Sequence, residues 1–228
     1  MKKIINYFTA TELIILFVSI LIITSMFLIF DGESYFSYFA SIIGTVSLIL
    51  NAKGNFIGQI IGIVFCSFYA IISWSYQYYG EVITYFGMTM PFAIVSLVSW
   101  IKNPYKDNKT EVSVNNINIK EIFFAIPCAL VITFIFYFIL KYFNTSNLLI
   151  STVSILTSTV AVYLTFRRSP YFALAYTIND LVLIVLWSLA SIENKMYVSI
   201  VACFIAFLIN DIYGFIAWER MRRRQSKN

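Results

Sequence analysis

An all-α protein that crosses a membrane eight times is what three features of this sequence predict. Of its 228 residues, 60% are hydrophobic and only 12% are charged, where a soluble domain carries about 25% charged residues. Apolar runs recur along the whole chain, each close to the about 20 residues that a helix needs to cross the hydrocarbon core of a bilayer. Lysine and arginine gather in alternate connections between those runs, and that bias orients membrane proteins.

On this ruler the spans fall at 13–30, 35–52, 55–79, 82–101, 121–140, 147–166, 170–191 and 197–218. The first follows a basic start, MKK, so a cleaved signal has to be weighed. Its apolar run from Leu13 to Phe30 exceeds the about 7–15 residues of a signal core, and it ends in Asp31-Gly32-Glu33 with no small-residue cleavage pattern. A retained helix is expected. With the N-terminus inside, Lys2, Lys3, Lys53, Lys102, Lys106, Lys109, Lys120, Arg167, Arg168, Arg220, Arg222, Arg223, Arg224 and Lys227 are all cytoplasmic. Of the sixteen basic residues, only Lys141 and Lys195 then lie outside. Removing or adding one helix would scatter the charges over both faces. The outer connections carry Asp31, Glu33, Glu81 and Glu193 instead.

The net charge of +5 is accounted for by these topology signals and by the tail ERMRRRQSKN, which suits anionic lipid rather than nucleic acid. Cys66, Cys128 and Cys203 lie in apolar runs without metal spacing, so no metal, cofactor or disulfide is expected of them. The longest connection, 102–120, has Asn-Pro turn chemistry and separates two halves. The helix 55–79 with Trp74 matches 170–191 with Trp187, and 82–101 and 197–218 each finish near a tryptophan, Trp100 and Trp218. The reading is a three-plus-one-plus-three parallel repeat with one extra helix in front. Its units are 1–34, the repeat 35–101, the loop and linker helix 102–146, the repeat 147–218 and the tail 219–228. Parallel repeats related by an axis along the membrane normal are a transporter architecture, with the binding site at the repeat interface. Gly54, Gly58 and Gly62 would line one face of helix 55–79 for close packing. Pro91 would kink helix 82–101 as a hinge, and Pro170 suits a helix start.

There is no histidine, no GxxxxGK phosphate loop and no nucleophile beside a base, so the residues favour a carrier or channel over an enzyme. What remains is polar and aromatic. Asn179-Asp180 and Asn210-Asp211 lie inside apolar segments, where an ionisable group faces a bundle interior or a wet cavity. Asn179, Leu183, Leu186 and Trp187 share a helix face, with Tyr176 one turn earlier; Asn210, Tyr213 and Gly214 do the same on the last helix. Asparagine reads amides, hydroxyls and base edges, and aromatic rings stack and attract cations. The substrate-contact candidates are therefore Asn179, Asn210, Tyr213, Trp187, Tyr176, Gln59 and Trp74. Asp180 and Asp211 are structural or proton-relay candidates. Trp100 and Trp218 read as interface-belt residues.

At these residues the chain resembles the PnuC family of bacterial vitamin transporters, whose main members carry nicotinamide riboside. The resemblance runs from about Asn51 to Met221 and is densest in RRSPYFALAYTINDLVLIVLW and NDIYGFIAWERM; SLVSWIKNP fits as the first-half counterpart. Of the family's WxxxWxxxN pattern the Asn stands as Asn179, and the tryptophan positions read Tyr171 and Ala175. The resemblance implies a three-plus-one-plus-three core similar to the SWEET sugar transporters in opposite orientation. It also implies facilitated diffusion of an unphosphorylated vitamin across the bacterial inner membrane, both termini cytoplasmic, and trapping by a separate cytoplasmic kinase. Thiamine and deoxynucleoside carriers share the architecture. Two other classes stay open at this point: a membrane-embedded enzyme using Asp180 and Asp211, which requires the two carboxyls to converge, and a structural bundle with a dry core. A homo-oligomer is compatible with the sequence.

Overall fold

Eight apolar helices run the length of the structure, a computed structural model that describes residues 7–75, 78–106 and 108–227. The topology markers Lys2 and Lys3, positions 76 and 77 of the span expected at 55–79, and the final residue of the tail lie outside the described residues. Helix α1 (Ala10–Met26) starts at a capping box: Glu12 N–H donates to Thr9 Oγ1 and Thr9 N–H donates to the Glu12 carboxylate at 2.7 Å. A π-helical turn, Phe27–Asp31, carries it on. Then come α2 (Tyr35–Ala52), α3 (Phe56–Ser75) and α4 (Tyr79–Lys102). The longest connection holds a small hairpin, β1 (Pro104–Tyr105) with β2 (Asn108–Val112). It leads to α5 (Ile119–Tyr142), α6 (Leu148–Phe166), α7 (Tyr171–Glu193) and α8 (Val198–Lys227).

Two boundaries correct the sequence reading. The expected tail is helical through Lys227, because Arg224 and Gln225 reach Glu111 and the Gln225 amide also bonds the backbone of Val112 and Val114. Glu81, expected in an outer loop, sits in the first turn of α4 and is 1% exposed.

Six helices close a ring. α2 packs on α3, α3 on α4, α4 on α6, α6 on α7, α7 on α8, and α8 returns to α2. α1 covers the seam between α8 and α2. α5 packs on α6, and its Leu140 meets Met88 of α4 and Ile155 of α6, so it covers the seam between α4 and α6. The turns entering α3 and α7 match in detail. Gly54 and Arg168 both take the left-handed conformation, at φ 65° and 55°. The next residue in each, Asn55 or Ser169, donates its N–H back to Leu50 O or Leu164 O at 3.0 Å. The hairpin and the strand-like residues after it bind both turns: Val112 N–H donates to Gly54 O and Asn115 N–H to Arg168 O, each at 3.0 Å.

The tryptophans expected at the membrane interface are inside instead. Trp100 is 2% exposed and Trp218 0%, with ring centroids 5.4 Å apart. Trp100 Nε1 donates to Thr165 O at the end of α6, and Trp218 Nε1 donates to Asn51 O at the end of α2. Each carbonyl also accepts a backbone N–H from the turn that follows it, Arg168 to Thr165 and Gly54 to Asn51, and the indole takes the second lone pair. Gly54 also leaves the expected helix face, because it forms the left-handed turn. Gly58 and Gly62 do line α3 against α2, where a Cβ on Gly58 would come within 2.7 Å of Asn51 N.

Candidate substrate cavity

Near mid-depth the ring encloses a cavity of about 100 Å³, lined from all six helices. α7 contributes Tyr176, Asn179 and Asp180, α8 contributes Phe207 and Asp211, α3 contributes Gln59 and Phe65, and α2 contributes Asn51. Asn179 Oδ1 accepts from Thr157 Oγ1 at 2.7 Å and from Ser158 Oγ at 2.9 Å, both on α6. Both acceptor positions of that oxygen are filled, while the amide nitrogen donates to no protein group among the described residues. Across the cavity Gln59 Nε2 donates to Asn51 Oδ1 at 2.9 Å, and Ser47 Oγ donates to Gly58 O at 2.8 Å.

The carboxyls of Asp180 and Asp211 line the same cavity, and no donor among the described residues reaches Asp180 Oδ2. Consecutive Asn and Asp on a helix point about 100° apart, yet on α7 the cavity is wide enough to receive both. No lysine or arginine is part of the lining. The volume is below the about 300–1,000 Å³ of pockets that enclose a drug-sized ligand, so the cavity as it stands is too small for a whole nucleoside.

The other sequence candidates are placed elsewhere. Asn210 is 1% exposed, and its Nδ2 donates to Ser19 Oγ of α1 at 2.8 Å and to Ala206 O, so it ties the first helix to the last. Tyr213 donates to Glu12 at 3.2 Å, beside the Glu12–Lys53 ion pair, and lines a separate polar cleft at the basic end. Trp74 is 62% exposed on the outside of α3. Trp187 is fully buried above the cavity, its Nε1 donating to Tyr69 OH at 2.7 Å. Pro91 follows a π-helical stretch, Ile83–Thr89, in which Met90 N–H reaches back five residues to Tyr85 O. This wide winding stands where the hinge is expected.

Aromatic plugs close both ends. Toward the end bearing Glu81 and Glu193, Tyr69 packs on Tyr85 at 4.2 Å and Tyr78 on Trp187 at 4.7 Å. Toward the basic end stand Trp100, Trp218 and Phe172. Sequence reasoning missed Asn51, Thr157, Ser158 and Tyr85. The hydroxyls carry no signal, since Ser and Thr satisfy themselves on preceding carbonyls in any helix; Asn51 was visible as a lone polar residue at the end of an apolar run.

A cavity with amides and carboxyls set in a mostly apolar wall, at the centre of a helical ring with aromatic clusters at both ends, is a carrier's arrangement, and the comparisons agree. The model of the nicotinamide mononucleotide transporter family matches residues 34–220. The chain belongs to that family. It is 22% identical, over 209 residues, to the nicotinamide riboside transporter PnuC of Neisseria mucosa, covering 90% of this chain and 79% of that one. The crystal structure of the vitamin B3 transporter PnuC superposes with a TM-score of 0.83 at 21% identity, covering 96% of this chain and 94% of that one, which establishes the fold. The transporter is thus a multi-pass membrane protein and not an enzyme. Asp180 and Asp211 both line the one cavity, as the enzyme reading requires, but the family to which the chain belongs is one of transporters.

Proposed function

We propose that this transporter carries nicotinamide riboside. The observation that carries the reading is the composition of the cavity wall: two carboxyls, three amide side chains and a set of aromatic rings, with no basic side chain among the described residues that line it. Nicotinamide riboside presents a pyridinium cation, a carboxamide and ribose hydroxyls. The ring suits Tyr85, Tyr176 and Phe207 with the carboxyls beside them, and the amide and hydroxyls suit Asn179 and Gln59. The mononucleotide adds a phosphate, which a wall of carboxyls without a cation repels. The family name and the named relative point to different substrates, and the wall supports the riboside.

The rest of the reading follows the sequence. The matched turns at Gly54 and Arg168 support two repeats flanking a linker, within the unit boundaries expected above. The seam positions of α1 and α5 support the first helix as the counterpart of the linker helix. The basic end faces the cytoplasm, with both termini there, in a bacterial inner membrane. Transport is facilitated diffusion, and a cytoplasmic kinase traps the product as its phosphate. Lipid or a second copy of the chain covers the apolar outer faces. A thiamine carrier is the second reading, supported by the same carboxyls because thiamine also holds a flat cationic ring; a deoxynucleoside would leave them without a counter-charge.

The test is entry of labelled nicotinamide riboside into liposomes containing the purified protein, with and without nicotinamide riboside kinase and ATP inside. Equilibration without kinase, accumulation with it, and no competition by the mononucleotide are expected. Entry no faster than into empty liposomes, from protein that still melts cooperatively, removes this substrate and moves the assay to thiamine.

A further inference from the structure

Glu81 is the carboxyl that the cavity does not explain. It is 1% exposed, and neither of its oxygens has a hydrogen-bond partner or an ion-pair partner among the described residues. The first turn of a helix favours an acid through its dipole, but no backbone N–H among the described residues reaches these oxygens. A buried carboxylate left this way is strongly disfavoured unless something pairs with it.

Its surroundings are aromatic, with Tyr69, Tyr78 and Tyr85 in one buried cluster. Tyr78, at the mouth of a cleft of about 510 Å³ that also holds Tyr197 and Glu193, lies within reach of the charges of both Glu193 and Glu81. Burial, with Tyr197, Glu193 and Glu81 adding to it, pushes the Tyr78 hydroxyl up to about 12. Tyr85 stands on the wall of the central cavity, which Asp180 also lines, and packs on Tyr69. Tyr78 and Tyr85, three residues before and four after Glu81 in the chain, line the cleft with Glu193 and the cavity with Asp180 respectively.

We propose that Glu81, with the rings of Tyr69, Tyr78 and Tyr85, is a second binding site for the cationic ring of the substrate, occupied as the outer plug opens and before the central cavity is reached. This rests on the reading that the substrate is a pyridinium riboside. When the plug parts, a planar cation slides between faces that each attract it, and the carboxyl gains the counter-charge it lacks in the closed form. A neutral ring has nothing to gain there.

Inhibition of riboside entry by 1-methylnicotinamide, a pyridinium without a ribose, tests this in proteoliposomes, with uncharged nicotinamide as the control. 1-Methylnicotinamide should inhibit the wild type better than nicotinamide does, and Glu81→Gln should weaken that inhibition about tenfold. No preference for the cation in the wild type, or an equal inhibition constant in Glu81→Gln, overturns the assignment. If Glu81→Gln does not fold, Glu81→Asp takes its place: withdrawing the carboxyl by one methylene should weaken inhibition by the cation alone, and an unchanged or unselective effect overturns the proposal. Wild-type protein that admits no riboside at all instead removes the transport reading beneath it.

Discussion

Replacing Asn179 by alanine separates a substrate contact from a helix bridge. In the closed structure its Oδ1 accepts from Thr157 and Ser158, at 2.7 and 2.9 Å. The Thr157 hydroxyl also reaches Val153 O and Ser154 O, both at 3.1 Å, and keeps them in the variant. Ser158 loses its acceptor, a penalty of about 1 kcal/mol, which for a chain of this size lowers the melting temperature by about 2–4 °C. Transport should suffer more. Without the Asn179 amide, a substrate group in the closed cavity goes unpaired at about 1–3 kcal/mol, which is about 5- to 150-fold in half-saturating concentration. Ser158→Ala is the control, because it deletes the same hydroxyl bond and leaves the amide in place. It should melt like Asn179→Ala while keeping entry within about threefold of wild type. The assays are riboside entry into proteoliposomes and melting in detergent. Equal entry and equal melting temperatures for the two variants would refute the substrate contact and leave Asn179 as a bridge between α6 and α7.

Three further outcomes are expected. Lys53→Met leaves Glu12 buried opposite a missing cation that stood 3.0 Å away, destabilising by about 3–5 kcal/mol; adding Glu12→Gln should recover most of that in thermal melting. Gly58→Ala places a Cβ 2.7 Å from Asn51 N, forcing α3 off α2 at about 1–3 kcal/mol, and entry should fall with it because Asn51 orients Gln59 on the cavity wall. Trp100→Phe and Trp218→Phe each remove an indole donor from a helix-end carbonyl that keeps its backbone donor, about 0.5–1.5 kcal/mol apiece. The double variant should lose less than the sum in melting, since the two rings touch.

The spans were legible because crossing hydrocarbon demands a length of apolar chain that little else in a sequence imitates. Asn179 was legible for the related reason that an amide at mid-depth needs a purpose. Direction around a helix was harder to read. Asn210 has the same sequence setting as Asn179, yet it turns to Ser19 of α1, and only the packing of the first helix on the last decides that. A tryptophan near a helix end looks alike in the belt and in the core: Trp74 faces out, whereas Trp100 and Trp218 turn inward to the end carbonyls of other helices. Glu81 was placed in a loop because an acid flanked by tyrosines and a glycine resembles a turn. The apolar stretch after it is wound partly as a π-helix, so α4 starts earlier than hydropathy suggests.

The hairpin connection between the halves has a practical side for protein engineers. By length and composition residues 102–120 look like the place to insert a fluorescent reporter or an epitope. But insertion tolerance depends on whether the local backbone is already bonded, and here Val112, Ser113 and Asn115 each spend their N–H on a different helix end: Gly54 O, Asn103 O and Arg168 O. An insert between 111 and 115 would pull three of the ring's helix ends out of register together, whereas the exposed start of α5 near Ile119 has no such bonds to lose beyond its own cap at Asn118. A reporter belongs there.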